Sequence, residues 1–138
     1  MSYLVDTNLL SELRKLRAAD IGVRRWAAGV NAGDLYLSVV TVFEIQMRVL
    51  RLERKDHRQA KMLHAWLHSK VIPEFEGRIL PIDMPEALRC AQLHVPDPCS
   101  FRDSLIAATA LSHGMTVVTR DVKNFKPTGV SLLNPWEL

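Results

Sequence analysis

Cysteine is nearly absent from this chain: Cys90 and Cys99 are the only two among 138 residues. Two thiols without CxxC spacing are too few for a disulfide framework, supply no zinc site and fit a reducing compartment. No apolar run approaches the roughly 18 residues that a membrane span requires. The N-terminus lacks a basic region leading into an apolar stretch, so no secretory signal is expected. Repeats, low-complexity tracts and linkers are missing too. These absences predict a soluble, cytoplasmic protein without a membrane partner, built as one domain over residues 1–138. What is present is ordinary globular material, 48% hydrophobic and 24% charged, with a formal charge of +3. That length can bury a real core, and the mild positive charge permits a polyanionic partner without demanding one.

The first eight residues organise the rest. Tyr3, Leu4 and Val5 form an apolar run with no alternation, as in a strand buried on both faces, and Asp6 ends it. Leu9, Leu10, Leu13 and Leu16 follow at helical spacing. Asp6 therefore falls between strand and helix, at the edge where open α/β sheets bind ligands, although capping the helix is an equal local reading.

The same arrangement recurs. Asp20 is placed to cap a helix with Ile21, Trp26, Ala27 and Val30 as its apolar positions. Leu35–Ser38 reads as a second strand, followed by a long helix carrying Val42, Ile45, Val49 and Leu52 inward, with Glu44 in its first turn. Thr41-x-x-Glu44 matches a capping box, which is the favoured local account of Glu44; a second carboxylate at the sheet edge is the alternative. Asp56 is expected to cap a helix reaching about Val71, with Met62, Ala65, Trp66 and Leu67 in the core. His64 and His68 stand at i and i+4 without a glutamate between them or a third ligand, and read as surface or structural residues.

Ile79–Ile82 reads as a third strand, kept at a sheet edge by Pro81. Asp83, Pro85 and Glu86 open a helix with Ala87, Leu88, Ala91 and Leu93 as its apolar residues. Ser100-Phe101-Arg102-Asp103 opens another, whose body from Leu105 to Leu111 is small and apolar nearly all round and should be buried against the sheet. An unpartnered charge at Asp103 would be costly there. Met115–Thr119 is a β-branched strand that again stops near an acid, Asp121. Asn124-Phe125 and Pro127–Gly129 read as loop, and Val130–Leu133 as a last strand.

Alternating strands and helices predict a three-layer α/β/α sandwich around a mainly parallel sheet. Asp6, Glu44, Asp103 and Asp121 all fall at strand ends or helix starts. Four converging carboxylates repel one another unless some protonate or a cation joins them. Oxygen ligands without His or Cys select Mg²⁺ or Mn²⁺, and such a centre suits phosphodiester hydrolysis. Arg102 and Arg120 beside the acids, and Arg48 and Arg51 on the long helix, are candidates for holding phosphates.

Leu4-Val5-Asp6-Thr7-Asn8, Ser38 to Glu44, Asp103 to Ala110 and Thr119-Arg120-Asp121 together resemble the PIN domain over nearly the whole chain, specifically the toxin ribonucleases of VapBC and FitAB type. The closing Asn134-Pro135-Trp136 is similar to the end of FitB-like members. The resemblance implies that the four acids chelate Mg²⁺ or Mn²⁺ and catalyse RNA cleavage, with Thr7, Asn8, Thr119 and Asn124 in support. It implies a homodimer that cuts single-stranded or loop regions of RNA, tRNA or another structured RNA among the candidates. Its implied partner is a small DNA-binding antitoxin of VapB or FitA type, in a toxin–antitoxin hetero-oligomer. Asn124 departs from the pattern: many members carry an acid there, which leaves the number of metals open. Two other classes compete. A phosphoacceptor receiver domain would use Asp83, but its first strand would end in a pair of acids, and a non-catalytic PIN-like nucleic-acid binder would not need the quartet. A haloacid-dehalogenase-like phosphatase would need an acid at Asn8.

Overall fold

The computed structural model describes residues 1–138. Its strands are Tyr3–Val5 (β1), Leu35–Ser38 (β2), Ile79–Leu80 (β3), Thr116–Val118 (β4) and Leu132–Leu133 (β5). All pair in parallel, in the order β3-β2-β1-β4-β5, with Leu4 opposite Tyr36 on one side and Val117 on the other. The helices are Thr7–Leu13 (α1), Ile21–Gly29 (α2), Val39–Glu53 (α3), His57–Trp66 (α4), Ile72–Glu74 (α5), Met84–Leu93 (α6), Phe101–His113 (α7) and Val122–Phe125 (α8), with a π-helical turn over Leu67–Val71. None is long and apolar enough to cross a membrane.

Successive residues of a strand point to opposite faces, so β1 feeds two cores. Val5 packs with Leu9, Val23, Leu37, Ile45 and Val49 under α1 to α4, whereas Leu4 packs with Ile106, Ala107, Ala110, Val117 and Phe125 under α7 and α8. The result is the expected α/β/α layering around a parallel sheet. Central placement of β1 follows from its lack of polar alternation, and edge placement of β3 from Pro81, which has no N–H to donate. Asp20 and Asp56 cap α2 and α4 through Val23 and Gln59 N–H, as expected. α7 ends at Gly114, whose φ of +65° is the left-handed conformation that glycine adopts without a Cβ clash.

Several local expectations are corrected. The N-cap of α3 is Ser38, whose hydroxyl accepts from Val40 N–H at 3.0 Å, so the helix starts before Thr41 and Glu44 lies in its second turn. Thr41 is buried inside the helix instead of capping it. On α2 Val23 joins the expected Trp26 on the core side and Ile21 is exposed; on α4 Ala60 and Leu63 face in while Met62 and Ala65 face out. α6 is rotated from its hydrophobic pattern: Ala87, Leu88 and Ala91 are exposed, and Glu86 and Cys90 are buried. The cause is polar, since the Glu86 carboxylate turns back to accept from Asp83 N–H. Asn124 and Phe125 are helical, in α8, because Phe125 is drawn fully into the core, and Lys126–Thr128 is a 3₁₀ turn. The last strand is shorter than expected, Leu132–Leu133.

Candidate metal centre

The carboxyl ends of β1, β2 and β4 lie side by side, and the segment after each delivers part of one polar cluster. Asp6 follows β1 directly and its side chain is fully buried. Oδ1 accepts from Thr7 N–H at 2.8 Å, so Asp6 does cap α1, but Oδ2 accepts from the Thr119 hydroxyl at 2.7 Å, 113 positions away. The capping reading of Asp6 therefore holds, and its second oxygen is left to join a polar cluster at the sheet edge. Glu44 reaches the cluster from α3, accepting from the Thr7 hydroxyl through Oε1 at 2.8 Å. Thr41, which sequence reasoning missed as a member of this group, puts its own hydroxyl 3.3 Å from that of Thr7.

Asp103 arrives from the first turn of α7, held by its N–H on the Ser100 hydroxyl at 3.3 Å. Asp121 stands outermost and exposed. Its N–H donates to the Thr119 hydroxyl at 2.9 Å, and its Oδ2 accepts from the Asn8 amide at 3.1 Å. The same amide lies 3.2 Å from the Thr119 hydroxyl, while Asn8 Oδ1 accepts from Arg120 N–H. Thr7, Asn8 and Thr119 thus frame Asp6, Glu44 and Asp121 with hydrogen bonds, whereas Asp103 is held by Ser100 and Arg102. Asn124 is exposed on α8 and holds none of them.

Arg102 occupies the middle. Its Nη2 is 2.5 Å from Asp6 Oδ1, its Nε 2.5 Å from Glu44 Oε2 and its Nη1 2.5 Å from Asp103 Oδ1. Sequence reasoning had Arg102 beside the acids but not among them; the only signal was its position next to Asp103. Burial works against its charge, yet hydrogen bonds and attraction from Glu44 and Asp6 more than offset that and hold it protonated well above its ordinary range. Burial is also the first cause that pushes Asp103 above the usual carboxylate range; Arg102 opposes the rise, and the charges of Asp6 and Asp121 add to it. The other cationic candidates sit apart. The Arg120 guanidinium lies 5.5 Å over the ring of Trp136, Arg51 is exposed on α3, and Arg48 lines a cavity of about 740 Å³ with Arg14 and Arg58.

Four carboxylates against one guanidinium leave an excess of negative charge. The donor set is all hard oxygen, which is the chemistry of a Mg²⁺ or Mn²⁺ centre. With Arg102 among them, no three acids stand close enough together to hold a metal ion. The residues fit the group in chemistry, and in this structure three of them are arranged around the guanidinium.

Comparison with known proteins supplies the context. The family model for the PIN domain matches residues 3–129. The chain is 36% identical to the toxin FitB of Neisseria gonorrhoeae, covering 96% of this chain and 97% of that protein. It is 34% identical to the VapC ribonuclease Y4jK of Sinorhizobium fredii, covering 97% of each. Among solved structures, the crystal structure of FitAcB from Neisseria gonorrhoeae superposes with a TM-score of 0.88 at 35% identity, covering 99% of both chains.

Proposed function

The chain belongs to the PIN-domain family, and from that premise we propose that it is a Mg²⁺- or Mn²⁺-dependent endoribonuclease, the toxin of a type II toxin–antitoxin module acting in the cytoplasm. The observation that carries this reading is the convergence of Asp6, Glu44 and Asp103 on a single cationic group, with Asp121 tied to the same frame through Asn8 and Thr119. A site that gathers this much negative charge at a sheet's carboxyl edge is built for a cation.

In this reading Asp6, Glu44, Asp103 and Asp121 hold the metal, and one of them orients the attacking water. The bound metal supplies charge neutralisation at the phosphate and lowers the pKa of that water. Thr7, Asn8 and Thr119 fix the direction in which the carboxylate oxygens point, as outer partners do in metal sites generally. Asn124, at the rim, adds no charge. Arg48, Arg51, Arg102 and Arg120 contact RNA phosphates. The substrate is single-stranded or loop RNA, tRNA included. Likeness to FitB and FitAcB supports pairing with a FitA- or VapB-like antitoxin; in this reading the toxin is itself a homodimer, and the whole of 1–138 acts as one PIN domain.

The test is cleavage of RNA by purified, partner-free protein with Mn²⁺, comparing wild type with Asp6→Asn and Glu44→Gln, each checked for native circular dichroism. Both substitutions should abolish cleavage. Wild-type rates in either folded variant would overturn the assignment.

A further inference from the structure

Arg102 is the only cation that the structure places inside the carboxylate cluster. Of the four ion pairs in the protein, three are its own. All three nitrogens of the guanidinium are committed, one each to Asp6, Glu44 and Asp103. A divalent cation bound by these acids would draw on the same oxygens, and two cations crowded onto one set of oxygens repel. Each mode of occupancy therefore disfavours the other.

We infer that Arg102 is a resident counter-cation which the metal must displace, so that this side chain sets the metal affinity of the site and, once displaced, stands at its rim to hold a substrate phosphate. The inference rests on the reading of these acids as metal ligands. Two further features fit it. First, Asp6 and Glu44 do not depend on Arg102 for their orientation. Asp6 Oδ2 is held by the Thr119 hydroxyl and Glu44 Oε1 by the Thr7 hydroxyl, so the oxygens now facing the guanidinium stay aimed at the same spot when it leaves. Second, Arg102 has somewhere to go. Its side chain is 30% exposed against 0% for Asp6. It also walls an open groove of about 590 Å³ in which Val39, Phe43, Met47 and Phe101 offer apolar surface for its methylene stem while the charged head meets water. Bidentate geometry then suits the freed guanidinium to a phosphodiester.

The experiment is calorimetric titration of Mn²⁺ into metal-free wild type and Arg102→Gln, with melting curves in EDTA. Arg102→Gln should bind Mn²⁺ roughly 10-fold tighter or more, a size typical of changes beside a metal's ligands. It should also melt below wild type in EDTA and recover on adding Mn²⁺, as the metal replaces the lost charge. In wild type the Arg102 Nε–H resonance, identified by its absence from the Arg102→Lys spectrum, should shift when Mg²⁺ is added. Equal affinity in the two proteins overturns the inference and leaves the metal reading of the acids standing; no Mn²⁺ binding by either overturns both. If Arg102→Gln does not fold, an Arg102 resonance that stays unmoved in wild type with Mg²⁺ bound overturns the inference.

Discussion

Opposing effects meet at Asp103. Burial disfavours its charge, Arg102 supports that charge, and Asp6 and Asp121 oppose it, with a net rise in its pKa. For a carboxyl group raised on folding, the native state binds its proton more tightly than the unfolded chain does. The ionised group then costs stability above its folded pKa, and that cost vanishes below the ordinary carboxylate value near 3.8. Asp103→Asn should therefore melt higher than wild type at neutral pH in EDTA, with the gap closing as pH falls through the carboxylate range. Equal or lower melting at neutral pH would contradict this account of the site. Asp6 was legible in the sequence because a strand, an acid and a helix follow one another within ten residues. The role of Arg102 was not, because its partners Asp6 and Glu44 lie 96 and 58 positions away and only the fold brings them together.

Elements were legible where hydrophobic pattern decided them. β1, α7 and the parallel alternation are of this kind, since small apolar residues all round α7 leave it no option but burial. Where polar contacts decided, pattern failed. The inner face of α6 is set by Glu86 folding back on Asp83 and by Cys90 donating from its thiol to the Ser104 hydroxyl at 3.2 Å, which periodicity cannot register. The start of α3 turned on which of two hydroxyl residues, Ser38 or Thr41, served as cap, and both satisfy the local rule. Close backbone approach is equally invisible in a sequence. Gly22 in α2 sits against the C-terminal turn so tightly that an added Cβ would lie 2.4 Å from Pro135 O and 3.1 Å from Leu138 O. These are backbone atoms that cannot step aside cheaply. Gly22→Ala should therefore lose about 1–3 kcal/mol in urea unfolding, despite alanine's better helix propensity. An unchanged midpoint would show that α2 and the chain terminus do not pack this closely.

Across the whole molecule, charge is divided unevenly. The chain carries 18 Lys and Arg against 15 Asp and Glu, yet Lys15 and Arg102 are the only basic residues paired with a carboxylate. The remaining cations have no carboxylate partner; Arg78 is committed to the carbonyls of Ala32, Leu35 and Glu74, while Arg14, Arg48 and Arg58 line one concavity open to a polyanion. If RNA runs over α3, Arg48→Ala and Arg51→Ala should each weaken binding and reduce the slope of log affinity against log salt by about 0.7, the release expected per single-strand phosphate. An unchanged slope would exclude that residue from the interface. The competing receiver reading has no footing at this scale, because Asp83 lies exposed beyond the edge strand β3, away from the acids.

On the proposed function, this carboxylate centre cuts RNA only with a metal bound. The most direct measurement is treatment of total cellular RNA with purified, partner-free protein in Mn²⁺ or Mg²⁺, set against EDTA and against Asp6→Asn in the same metal. Discrete fragments should appear in the metal-containing wild-type reaction alone. Fragments that persist in EDTA or with Asp6→Asn, or no cleavage by folded wild type with metal, would contradict that function.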